Sequence, residues 1–135
     1  MRTIKSILLF AVIVLFFGCG SDDNGDTNEP TNLELLISGK WYNESRTPGS
    51  YTDCEKNGYI EFMTNGDAVI NSFDDGSGTC QSLGAVTASW TLTNEVDLNL
   101  TLGPESVDAT IIAISSSEMT VVGNGETIVF DKNPG

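Results

Sequence analysis

The chain contains no histidine, and Lys and Arg together number only 6 among its 135 residues. Histidine is the commonest general base and the usual activator of serine and cysteine nucleophiles, so its absence removes the ordinary catalytic pairs and the His-containing zinc sets. The shortage of cations against 19 acidic residues gives a formal charge of −13. A field of that sign repels phosphate backbones and argues against nucleic acid as a partner. Cysteine occurs three times and never in a CxxC spacing, which leaves no thioredoxin-like redox motif. Nor is there an apolar run of the roughly 20 residues that span about 30 Å of hydrocarbon. The longest, Ile7 to Phe17, is eleven residues. No internal repeat is present, and the length suits one domain of about 100 to 150 residues.

That short run has a clear reading. Arg2 and Lys5 precede it as a positive n-region, and Gly18-Cys19 ends it with a small residue directly before a cysteine. The arrangement resembles a lipobox at the end of a secretory signal peptide. It predicts a lipoprotein signal peptide over residues 1–18 and acylation of Cys19, whose two or more acyl chains suffice for stable attachment to a lipid bilayer. Cleavage before Cys19 removes Arg2 and Lys5 and leaves Lys40, Arg46, Lys56 and Lys132 against nineteen acids, so the charge becomes 4 − 19 = −15.

Residues 19–31 carry no aliphatic or aromatic side chain beyond Cys19, cannot bury enough surface to offset ordering, and read as an acidic flexible tether. Ser21-Asp22-Asp23 at its start resembles the acidic export signal of surface-exposed lipoproteins in Bacteroidetes-type bacteria. The expected location is therefore the bacterial outer membrane, with the domain facing the cell exterior; a periplasm-facing domain is the alternative. Asp22, Asn24 and Asp26 alternate like the first EF-hand ligands, but the turn position holds Thr27 in place of Gly and the bidentate position holds Leu33 in place of Glu. No metal and no cofactor is expected.

From Gly39 onward the apolar residues recur with period two, the pattern of strands with one buried and one wet face. Val86, Ala88, Trp90 and Leu92 alternate with Thr87, Ser89 and Thr91; Val96, Leu98, Leu100 and Leu102 alternate with Asp97, Asn99 and Thr101. Turn chemistry at Asn57-Gly58, Asn65-Gly66-Asp67, Asp75–Gly78, Gly103-Pro104 and Gly123-Asn124-Gly125 separates the runs. Strands are predicted near 39–46, 58–64, 67–73, 85–93, 95–102, 107–114, 118–123 and 126–131. Thr31-Asn32 caps a short helical turn carrying Leu33, Leu35, Leu36 and Ile37. The fold class is all-β: a small antiparallel eight-stranded meander barrel or strongly curled sheet over residues 32–132, preceded by that turn and followed by a tail at 133–135.

With Cys19 assigned to lipid, Cys54 and Cys80 remain as an even pair in an exported protein, and a structural disulfide is expected. Four stretches then resemble a known family: Ile37 to Tyr42, Asp53 to Phe62, Gly78 to Cys80 and Ala88 to Leu92. Together they are similar to the lipocalin-like domain of Bacteroidetes lipoproteins, over about Leu33 to Lys132. Gly39-x-Trp41 resembles the first-strand Gly-x-Trp of lipocalins, whose tryptophan plugs one end of the barrel. The resemblance implies a small antiparallel barrel and brings no ligand with it.

Enzymatic activity is not expected. Asp22-Asp23 and Asp74-Asp75 are the adjacent carboxylate pairs, and both sit in linker or Gly-rich sequence where solvated acids belong. The leading reading is a membrane-tethered binding module for a small apolar or amphipathic molecule, or a glycan, with Trp41, Tyr42, Tyr51, Phe62 and Trp90 as candidate contacts. The rival is a structural or interaction protein, an accessory subunit or inhibitor that contacts another envelope protein through the loop from Thr47 to Asn57. A hollow interior favours the first and a filled interior the second.

Overall fold

A computed structural model describes residues 28–135. The candidate signal peptide, Cys19 and Ser21-Asp22-Asp23 lie outside the described residues. Eight strands follow one another around a closed barrel: β1 (Lys40–Thr47), β2 (Tyr59–Phe62), β3 (Asp67–Asp74), β4 (Gln81–Thr93), β5 (Asp97–Leu102), β6 (Glu105–Ile114), β7 (Glu118–Gly123) and β8 (Glu126–Asp131). Each pairs antiparallel with its neighbour in sequence, and β8 returns to β1. Closure leaves no free sheet edge, which removes the aggregation hazard of an open meander. The eight-stranded barrel is thus the form adopted, rather than a curled sheet.

The barrel has two unlike ends. At one, which carries the turns at 63–66, 94–96 and 115–117, α1 (Asn32–Leu36) precedes β1 and packs against β6. Thr31 caps this single turn of helix through a capping box with Glu34. The helix is held to the barrel from the β4–β5 turn, where the Glu95 carbonyl accepts from Asn32 Nδ2 at 2.8 Å. Replacing Thr31 with alanine is expected to lower stability by about 1 kcal/mol. Amide exchange should quicken in α1 while the strands stay protected.

Below α1 lies a packed core. Leu36 and Trp41 have no exposed surface and Met119 has 1%. The Trp41 indole N–H donates to the Leu36 carbonyl at 2.9 Å, and that of Trp90 donates to the Met63 carbonyl at 3.0 Å, so neither buried ring leaves a polar atom unpaired. Phe62 meets Trp90 edge-on with ring centres 5.3 Å apart. The Lys132 ammonium sits 3.3 Å from the centre of the Trp41 ring and donates to Ser38 Oγ at 3.1 Å. Burial there lowers the Lys132 pKa from its ordinary 10.5, opposed by the Glu61 carboxylate.

At the other end, the long loop 48–58 and the loop 75–80 are joined by the Cys54–Cys80 disulfide, with Cα atoms 5.4 Å apart. A 3-10 turn, Glu55–Asn57, lies beside β1 and β3, and the Asn43 amide donates to the Glu55 carbonyl at 3.0 Å. Asn57-Gly58 is therefore no hairpin turn. Gly58 is buried, and a Cβ there would come within 2.6 Å of Asn43 Nδ2 and 2.9 Å of the Glu55 carbonyl. The glycine serves close packing.

Four boundaries depart from expectation by two residues or more: β2 ends at Phe62, before the predicted 64, β6 begins at Glu105, before the predicted 107, and two others have a local cause in the backbone. β4 begins at Gln81, earlier than the predicted 85, because the chain passes through Gly84 at φ +96° and resumes pairing with Phe73 and Asp74 after a register shift. β5 begins at Asp97, later than the predicted 95, because Asn94 and Glu95 both take positive φ and form the turn themselves.

Candidate functional site

The packed core stops partway up the barrel. Above it lies an apolar hollow of about 180 Å³ walled by β2 and β5–β8, with Phe62, Leu98, Leu100, Val121 and Phe130 among its lining. A second cavity of about 280 Å³ adjoins it beneath loop 48–58; the two share Ile60, Ile128 and Phe130, and Tyr51, Asn43 and Ser72 line its upper part. Each is below the roughly 300–1,000 Å³ of drug-sized ligand sites, which fits a small occupant. A larger groove of about 500 Å³ runs along β5–β7. It lies on the outer face, where the Asn99 amide donates to Asp108 and Ser106.

The mouth is lopsided. Ile70 pairs with Val86 and Leu100 with Val107, and direct antiparallel partners share a face, so Val86 and Val107 point inward. Leu102, two residues beyond Leu100, points the same way. Val86, Val107 and Leu102 remain 44%, 42% and 44% exposed, because they stand at the open end, above the packed core. Period two thus assigned Val86 and Leu102 to the correct face, while the burial expected of them is absent. The opposite side of the mouth carries Arg46, Tyr51 and Glu126.

Arg46 is the residue that strict alternation misplaces. Counting in twos from Trp41 puts Ser45 and Thr47 inside. The irregularity between Asn43 and Ser45 shifts the phase, and Arg46 then pairs with Ile128, which lines the hollow. Arg46 Nε donates to the Ser50 carbonyl at 3.3 Å, and its guanidinium carbon lies 5.1 Å from the centre of the Tyr51 ring.

The sequence-derived candidates separate by position. Phe62 lines the hollow and Tyr51 its mouth. Trp41 and Trp90 belong to the packed end. Tyr42 pairs with Tyr59 on the outer face, ring centres 5.8 Å apart. Tyr42 and Tyr51 are both half-buried. The residues that sequence reasoning missed are Arg46, Val107 and Glu126.

Burial raises the Tyr51 pKa above its ordinary 10.0; Arg46 opposes the shift, and Glu126 and Glu55 add to it. For an acid whose folded pKa is raised, the associated stability is fully present below about pH 10 and is lost as pH rises through the folded value. Among the three tyrosines of the chain, the phenolate absorbance should show a component above pH 10 that Tyr51→Phe removes.

Among the described residues no group of three or more Cys, Asp or Glu is placed to hold a metal, and no helix is long and apolar enough to cross a membrane. Comparison with known proteins agrees with the architecture. A lipocalin-like protein from Bacteroides uniformis superposes with a TM-score of 0.56 at 13% identity, over 73% of this chain and 99% of that one. An uncharacterized protein from Bacteroides eggerthii gives 0.56 and 13%, over 72% and 99%. No curated protein matches the sequence. The sequence profile of the lipocalin-like domain matches residues 37–121, from the end of α1 into β7. With its plugged end, closed eight-stranded meander and hollow upper half, the chain belongs to the lipocalin-like domain family.

Proposed function

We propose that this chain is a lipid-anchored, non-catalytic binding module that holds a small apolar or amphipathic molecule in its barrel at the bacterial outer membrane, facing the exterior. The observation that carries the binding reading is the apolar hollow left above a packed floor, under a lip of inward-facing yet exposed Val86, Leu102 and Val107. Solvent contact with apolar side chains at an interior position is unfavourable, and a ligand that covers them gains roughly 25 cal/mol per Å².

The test uses Nile red, an uncharged apolar dye, with the soluble chain of residues 19–135 carrying Cys19→Ser. Wild-type sequence at the other positions should bind it with enhanced fluorescence. Val107→Trp places an indole in the mouth; displacing about 60 Å² of apolar contact is about 1.5 kcal/mol, and the affinity should fall about tenfold. Absence of dye binding by the unsubstituted barrel would remove the proposal and favour the rival, a rigid core whose loops contact another envelope protein.

The anchor rests on Gly18-Cys19 and the run before it, and the outward placement on Ser21-Asp22-Asp23. Metabolic labelling with a fatty acid should mark the native chain and spare Cys19→Ala. Protease added to intact cells should digest the domain, whereas Ser21, Asp22 and Asp23 replaced by Ala should protect it; digestion of both alike would refute the export signal.

A further inference from the structure

Of the four basic residues among those described, three are placed away from the hollow. Lys56 pairs with Glu44 at 3.3 Å, Lys40 lies 4.1 Å from the centre of the Tyr59 ring on the outer face, and Lys132 covers Trp41 at the closed end. Arg46 is different. It enters the barrel on the inner side, is half-buried, and has no carboxylate within 4.0 Å among the described residues, in a chain with 19 acids. A guanidinium offers five N–H donors in a planar fork that matches a carboxylate. Here one of them, Nε, is engaged by the Ser50 carbonyl, which with the Tyr51 ring fixes the group at the mouth. The Tyr51 hydroxyl, on the same loop, has no hydrogen-bond partner among the described residues and is a second donor.

We propose, resting on the binding reading above, that the occupant is a singly charged anionic amphiphile, its short apolar body in the hollow and its carboxylate-type head on the Arg46 guanidinium beside Tyr51. The apolar lip and the cation lie on opposite sides of one opening, as a molecule with a greasy body and a charged end requires. Glu126 lines the same hollow and Glu55 lies close to Tyr51. Their charges disfavour a second negative charge on the ligand, which limits the head to a monoanion. The negative charge of the whole chain slows approach, but at physiological salt it is screened beyond about 8 Å and leaves the local contact intact.

Three chain-matched probes separate the head from the body: decanoate, decanol and decyltrimethylammonium, each competing with Nile red on the Cys19→Ser chain. Decanoate should compete best. Arg46→Gln should weaken decanoate about tenfold, the scale of a charge-assisted contact at a half-open site, and leave decanol unchanged. Glu126→Gln should tighten decanoate. Loss of fold moves both variants in one direction, so opposite signs are diagnostic of charge. Equal competition by decanol and decanoate, preference for the cation, or a common direction for the two variants overturns the anionic head and leaves the apolar site standing. Failure of Nile red to bind at all overturns the site itself and this inference with it.

Discussion

Trp41→Ala is expected to destabilise the domain by about 3–5 kcal/mol, the range for deleting a large ring from a packed core. The ring has no exposed surface, lies under Leu36, carries the Lys132 ammonium on its face and donates its only N–H to the Leu36 carbonyl. Its loss leaves a cavity and an orphaned carbonyl at the point where α1 is fastened to the barrel. Domains of this size have about 5–15 kcal/mol in total, so the variant approaches the threshold of folding. Trp41→Phe keeps an aromatic ring but removes the N–H and three buried ring atoms, so a smaller cavity and the lost hydrogen bond together should cost about 2 kcal/mol, between the alanine variant and wild type. Tyr42→Ala, one residue on and on the outer face, should be milder, about 1 kcal/mol for a lost edge-on aromatic pair. Urea midpoints at unchanged m-value measure all three. Equal effects for Trp41 and Tyr42 would mean that the inside and outside of β1 are assigned wrongly.

Replacing Cys54 and Cys80 together with alanine is expected to lower stability by about 3.5 kcal/mol, the chain-entropy estimate for a bridge across a separation of 26 residues. The effect should be spatially confined. The bridge joins the two loops that roof the open end, while the packed end is held by Trp41, Phe62, Trp90 and Met119. Amide exchange should therefore rise first over 48–58 and 75–80. An unchanged unfolding midpoint would show that the bridge constrains nothing in the unfolded chain. A floor that loosens as fast as the roof would contradict the division of the barrel into a packed and an open half.

The barrel was legible in the sequence because its strands repeat with strict alternation and its turns carry Asn-Gly and Gly-rich signals. Val86 to Leu92 and Leu98 to Leu102 have the inner and outer faces that their spacing predicts. The disulfide was legible from parity once the leading cysteine was set aside. What escaped lies where a local rule was broken. The phase shift after Asn43 turned Arg46 inward, and no residue type at Asn43, Glu44 or Ser45 announces it. Glu95 at φ +63° completes a turn that usually needs glycine or asparagine, so its residue type gives no sign that the strand starts later. Gln81 to Gly84 carries no strand pattern of its own, because its pairing with β3 depends on a bulge. Burial of Val86 and Leu102 was overestimated for a different reason: periodicity reports the face of a residue, whereas its height along an open barrel comes from registers between strands. The same limit blurred the candidate site: Trp41, Trp90 and Phe62 share a face and all belong to the packed end, and of the three only Phe62 borders the hollow.

A ligand-holding interior requires that an apolar molecule enter the hollow and leave the outside of the barrel untouched. Two methionines report on it in the soluble Cys19→Ser chain: Met119, which lines the hollow, and Met63, exposed in the β2–β3 turn at the closed end. With methyl-labelled methionine, titration with decanol should shift the Met119 resonance in NMR spectra and leave that of Met63 in place. A shift confined to Met63, or no shift of Met119 at saturating decanol, would contradict a ligand-holding interior.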